Sequence, residues 1–408
     1  MRTDYPRSAE DVQELAALVG RAYADRYDDL GERLRLDFHS GPKAKPEYFR
    51  ILRRGGRMVA HAAVYEKLFR LGRAGLRTGG VGFVGCLPEE RRRGYAAACV
   101  RDALAVMERE RMPLSLLSSG VDCYYTRFGY VGCFPRYALR LSVQDAEVRK
   151  LRLRLAVREY RDGDLPELLR LYDAASARTP GAVIREARDF RFALKRTRLL
   201  KPNCVFVFRE SRGRRALRAY VVWKEGAFWE AGLAPGDEAA AESALAWLRD
   251  RRRAALEKEL VLQFLTPAHP LWRHASRFNH GAEYGLQWTG GWMGRIVDLR
   301  AFLAQMKPEW EGRLNAAGLE AEGHLHLEVD GEPHSLVLSR AHHFALQPLG
   351  SRGVLAAQVR ASRRTLLQMS LGTLPWRSLP DLRAEGEAAL LDALFPHAAP
   401  GIFRLDYF

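Results

Sequence analysis

An apolar, glycine-rich segment at residues 76–87 constrains the fold most, because a turn and a helical pattern follow it directly. It predicts a strand that runs into Pro88, and residues 94–108 carry helical periodicity. Helices are predicted up to about Arg33. Further strands are predicted at 56–65, near Phe69 and at 113–118. This order of elements predicts an α/β domain that ends near Val143.

The same element order begins again near Leu155. Residues 157–166 lead into an amphipathic helix at 167–175. The remaining predicted elements of this second copy are strands at 204–208 and 219–223, a strand ending at Leu233, a turn at 235–237, a helix at 238–253 and a strand at 261–265. The sequence therefore predicts two α/β copies in tandem.

The two copies differ at the turn between the central strand and the following helix. The first copy has Arg-Arg-Arg-Gly-Tyr-Ala at 91–96, and the second has Ala-Pro-Gly-Asp-Glu-Ala at 234–239. Asp237 and Glu238 would repel an anionic ligand. We therefore expect a bound anion at the first turn and none at the second.

The sequence changes character from about Met293. Residues 296–303 open a helical stretch, and residues 323–338 alternate like a hairpin around Asp330-Gly331. We predict an α/β (α+β) chain with domains at 1–145, 146–290 and 291–408.

Composition favours an intracellular protein without a metal. The chain has 408 residues, 47% of them hydrophobic, but neither a hydrophobic signal segment nor a run long enough to span a membrane, so a cytoplasmic location is expected. Its five cysteines include no CxxC pair, which predicts reduced thiols. His324 and His326 could place two metal ligands on one strand face, although a solvated face explains them better, and no metal is assigned.

The net charge of +16 would suit a nucleic-acid-binding protein. The arginines, however, are spread through periodic segments instead of forming a basic tail. Solvated helix faces account for most of them, and nucleic acid is disfavoured as the ligand.

The first turn has the features of a pyrophosphate site. A helix N-terminus presents unpaired N–H groups to an anion, Gly94 allows close approach, and the arginines add positive charge. A plain surface turn is the alternative. The residues predicted to bind the cofactor are Phe83, Val84, Gly85, Cys86, Arg91, Arg92, Arg93, Gly94, Tyr95, Ala96, Ala97, Ser119 and Gly120.

Two further features bear on chemistry. Gly85 lies inside the central strand, which fits either close approach by a ligand or a simple bulge. A polar turn at 118–123 precedes an aromatic cluster in which Tyr125 could protonate a departing thiolate. Tyr124 and Tyr130 are interpreted as packing residues, and a structural role for Tyr125 is the alternative.

Residues 83–94 and the segment Tyr-Thr-Arg-Phe-Gly-Tyr at 125–130 resemble the GNAT superfamily of N-acetyltransferases, and within it the enhanced intracellular survival (Eis) family. The resemblance covers the whole chain. It implies tandem GNAT domains, the second without a cofactor site, followed by a domain similar to sterol carrier protein. It also implies acetyl-CoA as the cosubstrate and a homo-oligomer, either a hexamer or a dimer.

The resemblance assigns roles to individual residues. It implies Tyr125 as general acid and the terminal carboxylate of Phe408 as general base, and the apolar ending at 403–408 fits a docked terminus. A terminus packed only into its own domain is the alternative. Asp25 falls where an acid of the acceptor pocket would sit, and Asp406 is a second candidate for substrate binding. Tyr407 stands where aminoglycoside acetylators carry an acid, which argues against aminoglycosides as acceptors.

We therefore expect an acetyl-CoA-dependent N-acetyltransferase that acts on a primary amine of a small polyamine, an aminoglycoside-like molecule or a lysine. The alternative is a protein that binds a lipid or other apolar ligand and uses the GNAT core as a scaffold without transferase activity.

Overall fold

A computed structural model describes residues 2–24, 29–199, 201–211, 216–319, 323–338, 344–347 and 355–408. Within these ranges, no helix is both long enough and apolar enough to cross a membrane.

The N-terminal elements match the predicted order. The helices described in residues 2–134 are α1 (Ala9–Ala22), α2 (Leu30–Ser40) and α3 (Tyr95–Arg109), and the strands are β1 (Thr3–Asp4), β2 (Phe49–Arg54), β3 (Arg57–Leu71), β4 (Ala74–Cys86), β5 (Leu114–Ser119) and β6 (Val131–Phe134). The predicted strand at 76–87 is confirmed as β4, and the predicted helix at 94–108 as α3. The two strands predicted at 56–65 and near Phe69 are wrong as separate elements, because β3 continues to Leu71 and turns at Gly72.

The middle of the chain repeats much of this order. Its described elements are β7 (Arg136–Ser142), α4 (Ala146–Lys150), β8 (Ala156–Glu159), α5 (Leu165–Ser176), α6 (Ala187–Arg196), β9 (Val205–Arg209), β10 (Leu217–Lys224), β11 (Ala227–Leu233), α7 (Glu238–Ala254), β12 (Glu259–Gln263), α8 (Pro270–Ala275) and β13 (His280–Gly285). The helices predicted at 167–175 and 238–253 are confirmed as α5 and α7. Sequence analysis missed β7, α4, β8, α6, α8 and β13.

The C-terminal elements begin with a strand. They are β14 (Gly291–Ile296), α9 (Leu299–Ala317), β15 (Gly323–Val329), β16 (Glu332–Leu338), β17 (Phe344–Gln347), β18 (Leu355–Ala361), α10 (Arg363–Leu371), β19 (Arg383–Gly386) and α11 (Ala388–Leu394). The predicted hairpin is confirmed, since Val329 pairs with Glu332 across a two-residue loop. Asp330 and Gly331 in that loop have φ values of 52° and 80°, as a type I′ turn requires.

The chain divides into two compact units, the first formed by the described parts of 1–133 and 287–398 together with residue 408. It contains a seven-stranded sheet, ordered β1-β2-β3-β4-β5-β14-β6, and a five-stranded sheet, ordered β17-β16-β15-β18-β19. Strand β14 pairs antiparallel with β5, from Gly291 opposite Ser119 to Ile296 opposite Leu114. The core beside the first sheet buries apolar side chains of α1, α3 and β3. The domain limits 1–145, 146–290 and 291–408 stay a prediction.

The second unit contains the described parts of residues 134–286 and 399–407. Its sheets are ordered β11-β10-β9-β8 and β12-β7-β13. Its core includes apolar residues of β10 and α7, and Phe403 and Leu405 of the tail are 1% and 2% exposed within that core. The mixed α/β fold class is confirmed.

Candidate active site

A bulge interrupts the central strand β4 near its end. His61 of β3 pairs with Gly85, and Ala63 pairs with Gly82. Phe83 and Val84 therefore lie opposite the single residue Ala62, and Phe83 has a φ of +48°. Such an extra residue disrupts the ladder and redirects the strand.

Strand β4 also diverges from its parallel neighbour. In the described residues its ladder with β5 runs from Thr78 opposite Leu114 to Gly80 opposite Leu116 and stops there. The part of β4 from Val81 onward, including the bulge, is left without a β5 partner. Backbone groups at this end of the strand can therefore face a ligand.

The helix that follows, α3, begins without a side-chain cap. Its N-cap is Gly94 with a φ of 82°, and its first turn carries no acidic residue. Glycine adopts this left-handed conformation without strain. The first N–H groups of the helix have no intrahelical acceptor, and the helix dipole places positive potential there.

Charges around this turn leave it positive. The guanidinium of Arg91 donates to the carbonyl of Ala22 at 3.2 Å, and Arg93 pairs with Glu90 at 3.0 Å. Glu90 also accepts from Arg54. Arg92 is exposed and has no ion-pair partner among the described residues, so it can neutralise an incoming anion.

A cleft of about 550 Å³ opens at the junction of the bulge and α3. Of the residues predicted to bind ligands, it is lined by Val84, Gly85, Cys86, Arg91, Arg92, Gly94, Tyr95, Ala96, Ala97 and Tyr125. Sequence reasoning missed Ala22, Tyr23, Glu90, Val121, Tyr124 and Arg127, which also line it. The cleft thus joins the predicted anion turn to the predicted acid.

Tyr125 is one of the residues that line this cleft. In the described structure the hydroxyl has no hydrogen-bond partner, while the ring packs edge-on against Tyr124 at 4.8 Å and Tyr130 at 6.1 Å between centroids. Burial raises the pKa of Tyr125 well above its ordinary value. The phenol is therefore protonated at neutral pH and can donate.

Neighbouring tyrosines have structural partners. The Tyr23 hydroxyl donates to the carbonyl of Val84 at 2.7 Å, which fixes one wall of the bulge. Tyr130 is fully buried, with its hydroxyl 2.6 Å from that of Ser115. The hydroxyls of Tyr23 and Tyr130 are therefore already engaged, unlike that of Tyr125.

Four predicted cofactor residues do not line the cleft, namely Phe83, Arg93, Ser119 and Gly120. Phe83 points toward Tyr65, with ring centroids 6.2 Å apart. The Ser119 hydroxyl bonds both backbone groups of Val121, donating to the carbonyl at 2.8 Å and accepting from the N–H at 3.0 Å. Phe83 and Ser119 therefore shape the loops beside the cleft.

The terminal residue Phe408 packs on β4 beside the bulge. Its ring stacks with Tyr65 at 6.0 Å and meets Trp292 edge-on at 5.4 Å between centroids. Its carboxyl carbon would lie 3.4 Å from a methyl group placed on Gly82. The carboxylate thus lies against the strand position just before the bulge.

Asp406, predicted to bind substrate, is buried and ion-paired in the second unit. Its side chain is 3% exposed and accepts from Arg185 through both oxygens, each at 2.9 Å. Tyr172 also donates to it at 3.3 Å. These partners hold the Asp406 carboxylate inside the second unit, and its contact with substrate stays a prediction. The other acidic candidate, Asp25, lies outside the described residues.

The described residues contain no group of three or more His, Cys, Asp or Glu side chains that could hold a metal ion. The five cysteines are free, and burial raises the pKa of Cys86, so this thiol in the cleft stays protonated. His324 is buried with Nδ1 3.1 Å from the Ser335 hydroxyl. The solvated-face interpretation is therefore wrong for His324, whereas His326 is exposed.

The missed cleft residues carried little sequence signal. Ala22 and Tyr23 end an ordinary amphipathic helix, and Arg127 resembles any surface arginine until its guanidinium is seen 4.1 Å from the Tyr124 ring centroid. Their positions depend on how distant segments meet at the bulge. Local periodicity does not encode that meeting.

Comparisons with known proteins bear on the domain that contains this cleft. A family model described as an acetyltransferase (GNAT) domain matches residues 6–133. No curated protein sequence is significantly similar to the chain.

Solved structures similar to this one cover all of the chain. They include a GCN5-related N-acetyltransferase from Kribbella flavida (20% identity, TM-score 0.69, 98% of that chain covered) and another from Anabaena variabilis (16%, 0.70, 100%). A third is Eis1 from Mycobacterium abscessus (16%, 0.66, 100%). These similarities show the fold over the full length. The family model identifies residues 6–133 as an acetyltransferase domain of the GNAT type.

Proposed function

We propose that the chain transfers an acetyl group from acetyl-CoA to a primary amine in the cleft between β4 and α3. One observation carries the proposal: the uncapped N-terminus of α3, the bulge of β4 and the open hydroxyl of Tyr125 line a single cleft of about 550 Å³. Each of these features has a distinct task in acetyl transfer.

The residues of the turn fit the diphosphate of coenzyme A. The N–H groups at the start of α3 would hold the phosphate oxygens, and Arg91 and Arg92 would add charge-assisted contacts. The bulged segment from Val84 to Cys86 would bind the pantetheine arm through backbone groups. Bound there, acetyl-CoA supplies an acetyl group activated as a thioester.

Tyr125 would act as general acid. Because burial raises its pKa, it keeps its proton until a strongly basic thiolate develops beside it. Donation to the departing sulfur would accompany cleavage of the C–S bond. Backbone N–H groups near Val84 would stabilise the oxyanion formed on the carbonyl oxygen.

The carboxylate of Phe408 would act as general base. It is ionised at neutral pH and lies against Gly82, two residues before Val84 in the cleft wall. The acceptor must lose a proton as its nitrogen forms the new N–C bond, and the carboxylate would take it directly or through water. Holding amine and carbonyl together supplies much of the acceleration.

The acceptor class is a primary amine, as in a small polyamine, an aminoglycoside-like compound or a lysine side chain, with Asp25 as a proposed contact. A homo-oligomer is proposed from the similarity to the Eis family. We also propose that residues 291–408 form a sterol-carrier-like domain, which the sheet of β15 to β19 and the helices α9 to α11 support.

Titration calorimetry with acetyl-CoA, followed by a thiol-release assay over an amine panel, tests the proposal. We expect binding at the cleft, and turnover with at least one amine. Tyr125→Phe should lower kcat by about 10²-fold or more while leaving the Kd for acetyl-CoA nearly unchanged. Tyr284→Phe, at an exposed tyrosine of the second unit, is the matched control. Absence of acetyl-CoA binding would refute the proposal.

A further inference from the structure

Strand β4 carries two glycines on the face where the chain terminus packs. Gly80 and Gly82 are two residues apart, so their missing side chains leave a gap on one face of the sheet. Gly79, which points to the other face, is close to Met107 of α3 instead. Both Gly80 and Gly82 are buried, so something must fill the gap they leave.

The ring of Phe408 fills the part of that gap at Gly80, and the ring of Tyr65 lies over Gly82. A methyl group on Gly80 would lie 2.6 Å from Cζ of Phe408 and 2.7 Å from both its Cε atoms. Carbon atoms do not approach each other this closely, so any side chain at residue 80 would displace the ring. A methyl group on Gly82 would lie 2.9 Å from Cε2 of Tyr65 and 3.4 Å from the carboxyl carbon of Phe408.

Two aromatic residues border the gap. Tyr65 lies directly opposite Gly80 in the β3–β4 ladder and stacks on the Phe408 ring at an interplanar angle of 21°. Its hydroxyl donates to the buried carboxylate of Asp37 at 2.8 Å, which holds the ring in place. Trp292 of β14 meets the same ring edge-on at 81°, a geometry in which aromatic pairs attract.

We propose that Gly80, Gly82, Tyr65 and Trp292 form a built seat for the terminal phenylalanine and that they are positioning residues, because they fix where its carboxylate stands. This inference rests on the proposed role of Phe408 as base. The seat binds a phenyl ring joined to a carboxylate, and it recognises the ring through a glycine floor and two aromatic walls. If the ring were not held in this seat, the terminal carboxylate would still be ionised but would not stay at its position against Gly82.

The first test is kinetic. Gly80→Ala should reduce kcat with the amine acceptor by roughly a hundredfold, because a displacement of about 1 Å is enough for such a loss. The Kd for acetyl-CoA should remain within about twofold. Trp292→Leu, which leaves the glycine floor intact, should reduce kcat by a smaller factor with the same cofactor affinity. Gly285→Ala, at a strand glycine with open space around it, is the control.

The second test is chemical rescue. Removal of Phe408 should abolish turnover, and 3-phenylpropanoate, which carries the same ring and carboxylate, should restore part of it. Adding Gly80→Ala to the truncated chain should prevent the rescue. Acetate should rescue less well than 3-phenylpropanoate, since it lacks the ring that the seat binds.

A binding measurement separates this inference from the proposed function. Saturation-transfer NMR should detect 3-phenylpropanoate on the chain lacking Phe408 and not on the same chain with Gly80→Ala or Trp292→Leu. If the intact protein acetylates no amine but this binding pattern holds, the seat stands and the proposed base does not. A folded Gly80→Ala variant with wild-type kcat, or equal binding of 3-phenylpropanoate by all variants, would overturn the seat.

Discussion

Helices α3 and α7 occupy corresponding places in the element order of the two units. Their N-termini differ, because no side chain caps the backbone N–H groups of α3, whereas Asp237 caps α7. Helix α3 begins at Gly94 with no side-chain cap and no acidic residue in its first turn. Helix α7 begins at Asp237, whose carboxylate accepts from the N–H of Ala240 at 3.0 Å, and Glu238 follows. An anion would find open N–H groups at α3 and two carboxylates at α7.

The two units also differ in the hydrogen bonds of a buried histidine. His61 in the first unit is 1% exposed, and neither ring nitrogen has a hydrogen-bond partner in the described structure. His269 in the second unit is also buried, but Nδ1 accepts from Leu271 N–H at 3.1 Å and Nε2 lies 3.1 Å from the Ala231 carbonyl. His269 is thus hydrogen-bonded within its own unit, whereas His61, which lies beside Gly85 of the bulged strand, has no such partner in the described structure.

The largest loss of stability is expected when the buried ion pairs of the second unit are broken. Arg185 donates to Glu230 at 2.7 Å and to Asp406 at 2.9 Å, and all three side chains are at most 3% exposed. Arg185→Met would leave two buried carboxylates without a counter-charge. We expect a loss of about 3–5 kcal/mol in the free energy of unfolding, measured by denaturant titration.

An exposed arginine of the same unit provides the control. Arg140 pairs with Glu259 and Glu283, and these side chains are 40–56% exposed. Arg140→Met should change the free energy of unfolding far less than Arg185→Met does, because ion pairs between exposed side chains contribute little to stability. Equal losses for the two variants would contradict the view that the second unit depends on buried, fully paired charges.

The next largest effect is expected on acetyl-CoA binding when the uncapped turn at Gly94 receives a negative charge. Gly94→Asp would place an acidic side chain at the N-cap of α3, as α7 has at Asp237. The negative charge should repel a bound diphosphate and weaken acetyl-CoA binding by on the order of a hundredfold, measured by calorimetry.

Gly94→Asn separates charge from backbone strain. The φ of 82° at this residue strains any side chain, but asparagine and aspartate tolerate the left-handed region similarly. Gly94→Asn should therefore retain most of the affinity that Gly94→Asp loses. If both variants bind acetyl-CoA as the wild type does, the open N-terminus is not the diphosphate site.

The two buried histidines should respond differently to leucine substitution. His269→Leu would leave the N–H of Leu271 and the carbonyl of Ala231 unpaired and should destabilise the protein by about 1–3 kcal/mol. His61→Leu removes two buried nitrogens that lack partners, so it should be neutral or stabilising at pH 7. Thermal melts of the two variants measure the difference, and a loss in both would show that His61 has a partner in solution.

Acid should destabilise the protein through both histidines. Burial lowers the pKa of His61 to about 3 and that of His269 to about 4, from an ordinary 6.5. The unfolded chain therefore binds protons first, and stability present above pH 6.5 falls as the pH drops toward these folded values. The loss at pH 5 should be about 2 kcal/mol for each histidine. His61→Leu should remove its share of this dependence in a pH series of denaturant titrations.

Much of the fold followed from local signals. The strand and helix around residues 76–108, the second copy and the hairpin at Asp330-Gly331 all depend on periodicity or turn chemistry within a short window. The open turn at Gly94 was predictable for the same reason, since a glycine at the start of a helical pattern without nearby acids leaves the helix uncapped.

The unpredicted parts depend on contacts between distant segments. Strand β14 joins the first sheet beside β5, about 170 residues away along the chain, and nothing within Gly291–Ile296 specifies that partner. Asp406 pairs with Arg185, more than 200 residues before it in the chain, and nothing in the sequence around either residue indicates that pair. In the sequence Gly80 and Gly82 are ordinary strand glycines, and only the structure shows that Phe408 packs against them.

The smallest effect is expected where the second unit caps its own helix. Asp237→Ala removes the acceptor for the Ala240 N–H and one partner of Arg218, which lies at 2.6 Å and is partly exposed. The loss of the cap should reduce the free energy of unfolding by about 1 kcal/mol. The Kd for acetyl-CoA should not change, and calorimetry should still give one site per chain, because Glu238 remains in the first turn of α7. A second acetyl-CoA site in Asp237→Ala would mean that this one carboxylate is all that separates the two helix N-termini in function.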